Sequence, residues 1–159
     1  MQNLLREQVS IRDLVLILEA VGDHIHLTKD VDLLTEYVRA KLVPSLHQPY
    51  VADDGAVHAI SMSPALEKEI IESVRGGDAS LKIPNLPPDR LQAIYGEIKK
   101  YKDLLVEKGL VPVMIVSPSA RMYSRKMTET VFQDLAVLSI TELPTTVEIQ
   151  FVGSVQGKA

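Results

Sequence analysis

The run Val111-Pro112-Val113-Met114-Ile115-Val116 offers water no polar side chain on either face. A strand that is apolar all round belongs where both faces are covered, as in the interior of a parallel sheet. Pro112 has no amide hydrogen to give to a ladder, so it fits only near the start of that strand. Parallel strands need crossovers, and helical patterns flank the run on both sides. Before it, Leu91, Ile94, Ile98, Tyr101 and Leu105 share one face of a long helix that Gly109 ends. After it, a helix from about Ser119 to Phe132 turns Tyr123, Met127 and Val131 inward.

Other strands and helices fall into the same alternation. Tyr50-Val51-Ala52, the turn residues Asp53-Asp54-Gly55 and Val57-His58-Ala59-Ile60 read as a β-hairpin, with Gly55 free to take positive φ. Ser63-Pro64 opens a helix with Leu66, Ile70 and Val74 on one face, closed by Gly76-Gly77. A proline-punctuated connection runs from Ile83 to Pro88. A short strand at Ala136-Val137-Leu138 follows the Ser119 helix, and the alternation of Val147-Glu148-Ile149-Gln150-Phe151 suits a half-exposed edge strand. Right-handed crossovers then give a mostly parallel, three-layer α/β sheet over residues 47–159.

Residues 1–46 follow a different grammar and read as a small all-α region. Ser10 and Asp13 stand at capping-box spacing before a helix whose Ile11, Leu14, Val15, Leu18 and Val21 share a face and which Gly22 ends. Asp30 caps a second helix that carries Val31, Leu34, Val38 and Leu42 inward and stops near Pro44. The boundary between the two regions is expected at Pro44-Ser45-Leu46-His47-Gln48-Pro49.

Composition removes several function classes. Seventeen basic against twenty-one acidic residues give a net charge of −4, which supplies no bulk attraction to nucleic acid. Zero cysteines exclude disulfides, thiolate nucleophiles and cysteine-ligated metal. No apolar stretch reaches the ~18–20 residues that span a bilayer, and the N-terminus lacks the pattern of a secretory signal, so the chain reads as soluble.

Ligands of open α/β sheets sit at the carboxyl ends of the strands. The corresponding loops carry Ser61 and Ser63, Ser117 and Ser119, and Ser139. One reading is a hydroxyl-lined anion pocket at helix N-termini, extended by Arg121 and Arg125 one helical turn apart with Lys126 beside them; another is a set of ordinary caps and a solvated charged face. Neither G-x-x-x-x-G-K-[ST] nor G-x-G-x-x-G occurs, and Ser117 and Ser119 lack the flanking glycines of a nucleophile elbow. His24 and His26 invite a metal reading, but they follow a helix C-terminus that itself favours a cation, and His47 and His58 belong to other segments. No nucleophile, base and orienting group occur as a set, so the expectation is an interaction module without catalytic residues, cofactor or metal.

The stretch Leu4-Leu5-Arg6-Glu7-Gln8-Val9-Ser10-Ile11-Arg12-Asp13-Leu14 with Ile17-Leu18-Glu19-Ala20 resembles the FHIPEP family of flagellar and virulence type III export-gate proteins. Asp32-Leu33-Leu34-Thr35-Glu36-Tyr37-Val38-Arg39 is similar to that family's next helix. Ser117-Pro118, Arg121, Arg125, Val137-Leu138-Ser139 and Glu142-Leu143 are similar to its final α/β subdomain. Met122-Tyr123 after Arg121 resembles the flagellar branch. The resemblance implies part of the third, all-helical subdomain (1–46) and the whole fourth subdomain (47–159) of a cytoplasmic region. It also implies a place at the cytoplasmic face of the bacterial inner membrane and a homo-oligomeric, nonameric ring that meets other export-apparatus proteins, chaperones and substrates. The membrane half and the first two subdomains have no counterpart here, so Met1 reads as the start of a fragment. Under this reading Arg12, Asp13, Glu36 and Arg39 are candidate subunit-interface residues. Ser117, Ser119, Arg121 and Arg125 are candidate partner or anion contacts. The alternative is a small α/β ligand- or anion-binding regulatory domain using the Ser117–Arg121 loop.

Overall fold

A computed structural model of the chain describes residues 1–42, 46–75 and 84–157. The expected helix stop at Pro44, the helix end at Gly76-Gly77 and the connection's start at Ile83 lie outside these residues. The chain forms two compact units: Met1–Pro49 with Thr141–Pro144, and Tyr50–Ile140 with Thr145–Ala159. The segment Thr141–Pro144 thus belongs by its contacts to the helical unit, although the sequence reading assigns it to the α/β region.

The helical unit contains α1 (Gln2–Arg6), α2 (Leu14–His24) and α3 (Val31–Lys41). Its core is Leu4, Ile17, Ala20, Val38, Leu42 and Leu46, with Val9, Ile11, Leu16 and Val21 packed around it. Asp30 caps α3 as expected, accepting from the Asp32 amide at 3.0 Å. The cap of α2 is Asp13 rather than Ser10: Asp13 Oδ1 accepts from Leu16 N at 3.2 Å, and Ser10 Oγ instead takes the Arg12 amide at 3.4 Å. The helix then runs through Gly22 to His24. His24 stacks on Tyr37 of α3 with ring centroids 4.1 Å apart, and its Nδ1 meets the Ala20 carbonyl at 2.8 Å.

The α/β unit contains β1 (Ala56–Met62), α4 (Pro64–Arg75), α5 (Pro88–Glu107), β2 (Val113–Val116), α6 (Pro118–Thr128), β3 (Ala136–Ser139) and β4 (Glu148–Val155). The strands form one sheet in the order β3-β2-β1-β4, every neighbouring pair parallel. Every residue of β2 is buried, as its unbroken apolar run requires, and Pro112 stands just before it with its carbonyl accepting from Ala136 N at 3.1 Å. The expected hairpin is reduced to a single antiparallel bridge, Val51 to Val57, because β1 gives both edges to β2 and β4. Gly55 turns that corner at φ 82°.

Chain direction decides where the helices go. The steps β1 to β2 and β2 to β3 move the same way across the sheet, so right-handed crossovers place α4, α5 and α6 on one face. On that face Ile60, Met114 and Val137 stand in register and share a core with Leu66, Ile70, Ile94, Ile98 and Met127. The return from β3 to β4 runs the other way and carries no α-helix, only a 3-10 turn at Ile140–Glu142. The sheet is flanked by helices as expected, but the three helices of its two helical crossovers make one layer rather than two.

The edge strand β4 departs from strict alternation. Ala59 pairs with Phe151 and Ile60 with Gly153, so Val152 is an extra residue that bulges the strand and reverses its parity. Before the bulge Phe151 faces outward at 50% exposure; after it Val155 is fully buried. A Cβ at Gly153 would lie 2.2 Å from the Tyr101 ring of α5, so the close approach of helix and strand requires glycine there. Gly153→Ala should lower stability by about 1–3 kcal/mol in urea titration. Tyr101→Ala should recover part of that loss in the double variant, and strict additivity would show that the ring is not the obstacle.

Arg90 ties this layer together. Its guanidinium donates to both carboxylate oxygens of Glu69 on α4, at 2.8 and 2.7 Å, and also to the Gly157 carbonyl. The Arg90 hydrogen bonds hold the Glu69 carboxyl below its ordinary 4.5. A group with a depressed folded-state pKa stabilises above its unfolded value and loses that contribution as pH falls through the folded one. The melting temperature of Glu69→Gln should therefore fall less than that of the native chain when pH is lowered from about 5 towards 3. Parallel pH curves for the two proteins would remove Glu69 from the account.

Candidate interaction surfaces

The α2 sequence Leu14-Val15-Leu16-Ile17-Leu18-Glu19-Ala20-Val21 is apolar almost all the way round, and the core can take only one side of it. Ile17 and Ala20 fill the helical core, flanked by Leu16 and Val21. Leu14, Val15 and Leu18 are 47%, 66% and 63% exposed, and Ile25 continues their side at 43%. This reverses the expected face: of Ile11, Leu14, Val15, Leu18 and Val21, only Ile11 and Val21 pack on the core. Val31 on α3 is likewise exposed, while Val38 and Leu42 are buried as expected. Exposed apolar side chains gathered on one helix face mark a contact surface.

The four candidate interface charges separate into two kinds. Arg12 and Asp13 are exposed beside the first turn of α2, with Asp13 also serving as its cap. Glu36 is half-buried. Arg39 is 2% exposed and cannot meet a neighbour: its Nη1 donates to Glu7 Oε2 at 3.0 Å and its Nη2 to Glu142 Oε2 at 2.7 Å. Those carboxylates come from the end of α1 and from the Thr141–Pro144 segment, so the pairing lies within the helical unit.

At the carboxyl ends of the strands the serines act locally. Ser63 Oγ caps α4 by accepting from Leu66 N at 3.2 Å. Ser117 precedes α6, and its amide donates to Glu67 Oε1 at 3.0 Å, while Ser117 Oγ and Ser119 Oγ lie 3.3 Å apart. A carboxylate of the protein itself therefore occupies the place at this helix start where an external anion would bind. Arg121 and Arg125 do not extend the loop into solvent: they are 1% and 8% exposed, and their Nη1 groups donate to the Val137 and Leu135 carbonyls at 3.0 and 3.1 Å. They fasten α6 to β3 and to the residue just before it. Only Ser119 and the Ser117 hydroxyl of this candidate set remain at the surface. Ser139 is buried ahead of the 3-10 turn rather than capping an α-helix. Among the described residues, no three His, Asp or Glu side chains are grouped as metal ligands would be.

The FHIPEP family model matches residues 1–148. The chain belongs to the FHIPEP family. It is 35% identical over 152 residues to the flagellar biosynthesis protein FlhA of Bacillus subtilis, covering 96% of this chain and 22% of that protein. It is 36% identical over 155 residues to FlhA of Caulobacter vibrioides, covering 98% and 22%. These relatives support the flagellar branch of the family. Among solved structures, the Chlamydia pneumoniae CdsV protein superposes with TM-score 0.82 at 31% identity, over 98% of this chain and 44% of that one. The nonameric EPEC SctV-C gives 0.79 at 29%, over 97% and 46%. The Chlamydia pneumoniae CdsV and CdsO complex gives 0.80 at 30%, over 97% and 45%. The chain thus spans about a fifth of the curated FlhA proteins and under half of the solved domains. No helix among the described residues is long and apolar enough to cross a membrane.

Within this FHIPEP chain the signature Leu4 to Asp13 has a structural meaning. Leu4 enters the core, Glu7 reaches Arg39, and Asp13 starts α2. The exposure of Leu14, Val15 and Leu18 and the capture of Glu142 by Arg39 escaped the sequence reading. A signal for the first was present, since α2 has two apolar stripes and only one can face a core. Replacing Arg39 with Met should cost about 3–5 kcal/mol in denaturant titration, because two carboxylates lose their buried partner. The combined change of Glu7→Gln, Arg39→Met and Glu142→Gln should cost less than Arg39→Met alone. An equal or larger loss would show that the charges are not the cause.

Proposed function

We propose that this chain is part of the cytoplasmic region of a flagellar-type protein export gate, with a non-enzymatic role. The helical unit serves as part of the third subdomain, and the α/β unit as the fourth. The observation that carries the reading is the exposed face of α2, Leu14, Val15 and Leu18, flanked by the charges of Arg12 and Asp13. Its occupant is a second copy of the protein. The nonameric assembly of the EPEC homologue supports this choice. A closed ring uses heterologous contacts, so the apolar side of α2 meets a different surface on the next subunit. Arg12, Asp13 and the half-buried Glu36 set register at the rim, where charges govern specificity more than affinity. Arg39 holds the helical unit together from inside.

The complex of the Chlamydia pneumoniae homologue with CdsO supports a further role in contacting other components of the export apparatus. In this reading the ring takes part in docking and passing on export chaperones and their substrates at the inner face of the bacterial inner membrane. Assembly is the step the α2 face controls. In the full-length protein, Val15→Glu or Leu18→Glu should abolish ring formation in native mass spectrometry and stop flagellar assembly, with the far-ultraviolet circular dichroism of the variants unchanged. Arg12→Glu should weaken the ring to a smaller degree. Rings of normal size and stability from Val15→Glu would contradict the assignment of this face.

A further inference from the structure

The two edges of the sheet in the α/β unit are treated differently. At the β3 edge the Ala136 amide turns inward to the Pro112 carbonyl, so by alternation the Leu135 and Val137 carbonyls face outward. Arg125 and Arg121 donate to those two carbonyls, which closes that edge. At the β4 edge the Val155 carbonyl turns inward to the Ser63 amide, and the Gly153 carbonyl takes the Ser61 hydroxyl. The Ser154 amide and carbonyl therefore face away from β1, and among the described residues no strand stands beyond β4. The free stretch ends at Gln156, whose amide is taken by Glu97 Oε2 at 2.8 Å.

Beside this open edge lies a groove of about 640 Å³ between α5 and the end of β4. Gln92, Gly96 and Lys100 form its helical wall, each one turn after the last, and Ser154 and Gln156 form the other. A Cβ at Gly96 would meet nothing within 4 Å, so the wall is lowest at its middle. The groove thus lies where the helix-side residues of one more strand would stand. The bulge at Val152 interrupts regular pairing upstream, which confines an added strand to the part of β4 beside the groove.

We propose that the β4 edge takes up an extended peptide segment of a partner protein as a fifth strand beneath α5. Backbone hydrogen bonds to Ser154 hold it, and its alternate side chains face opposite ways. Those on the helix side meet Lys100, an exposed cation that has no ion pair among the described residues, so an acidic side chain fits there. Those on the other side come within reach of Phe151, which is 50% exposed on the face opposite Gly153, so apolar side chains fit there. The occupant is an extended segment that alternates acidic or small polar residues with apolar ones. The inference concerns the α/β unit alone and stands whether or not α2 forms a ring contact.

The synthetic peptide acetyl-Thr-Val-Asp-Val-Thr-Val-amide, added to the isotope-labelled chain, tests this by nuclear magnetic resonance. Amide shifts should change at Gly153–Gln156 and along Gln92–Lys100, and the Ser154 amide should exchange about tenfold more slowly at saturation. The same peptide N-methylated throughout keeps its side chains, loses its backbone donors and should not bind. Gly96→Leu, at an exposed helix position with open space around it, should keep or raise the melting temperature and abolish the shifts. Replacing Asp by Lys in the peptide should weaken binding to the native chain about threefold or more, and Lys100→Glu should reverse that preference. No shifts at a peptide concentration of several millimolar, equal binding of the N-methylated peptide, or full binding by Gly96→Leu would each overturn the proposal. Association of two copies of the chain through β4 without peptide would overturn the choice of occupant.

Discussion

A single buried guanidinium organises the helical unit. Arg39 sits 2% exposed between Glu7 and Glu142, and the carboxylates that its two arms find offset its removal from water. That pairing fixes the position of α1, whose end supplies Glu7, and of the segment that supplies Glu142. Asn3 adds hydrogen bonds to Asp32 and Thr35 of α3, at 3.2 Å each, so the N-terminal turn is tied to α3 by both polar and apolar contacts. With those links made, Leu4, Ile17, Ala20, Val38 and Leu42 close a small core, and that core has room for only one side of α2.

The α/β unit obeys a constraint of chirality. Moving twice in one direction across a parallel sheet forces α4, α5 and α6 into one layer, and the return to β4 proceeds without an α-helix. The layer is joined by polar clamps at its margins. Arg90 binds Glu69 and Gly157, Arg121 reaches the Val137 carbonyl of β3, Arg125 reaches the Leu135 carbonyl just before that strand, and Tyr95 donates to the Met127 carbonyl at 2.7 Å. Burial raises the pKa of that tyrosine above its ordinary value. In this unit Arg121 and Arg125 bind backbone carbonyls, Ser63 caps its own helix and Glu67 takes the Ser117 amide, so these groups are not left to line an anion pocket.

Local signals in the sequence carried the elements well. The apolar run of β2, the Ser63-Pro64 start of α4, the Asp30 cap of α3 and the glycine at 55 each follow from properties of a few adjacent residues. Errors arose where two local solutions were equally good and a distant contact chose between them. Ser10 and Asp13 both qualify as caps, and packing of Ile11 on the core favours the later start. The two apolar stripes of α2 are equivalent in sequence until α3 supplies Val38 and Leu42. Arg121 and Arg125 have the spacing of a solvated helix face, and only the approach of the Val137 and Leu135 carbonyls shows that they are interior. Arg39 presents the same case on α3. The parity of β4 could not be read because a bulge at Val152 depends on its pairing with β1.

Membership of the FHIPEP family places the chain among proteins of type III export, and the geometry directs attention to assembly rather than chemistry. The apolar outer side of α2 is the central element of that account. Photo-crosslinking from position 15 in the full-length protein, in cells, tests it most directly. The account predicts a crosslink to a neighbouring copy at a surface other than its own α2, as a closed ring demands. A crosslink confined to the same subunit, or an intersubunit product absent from assembled gates, would contradict it.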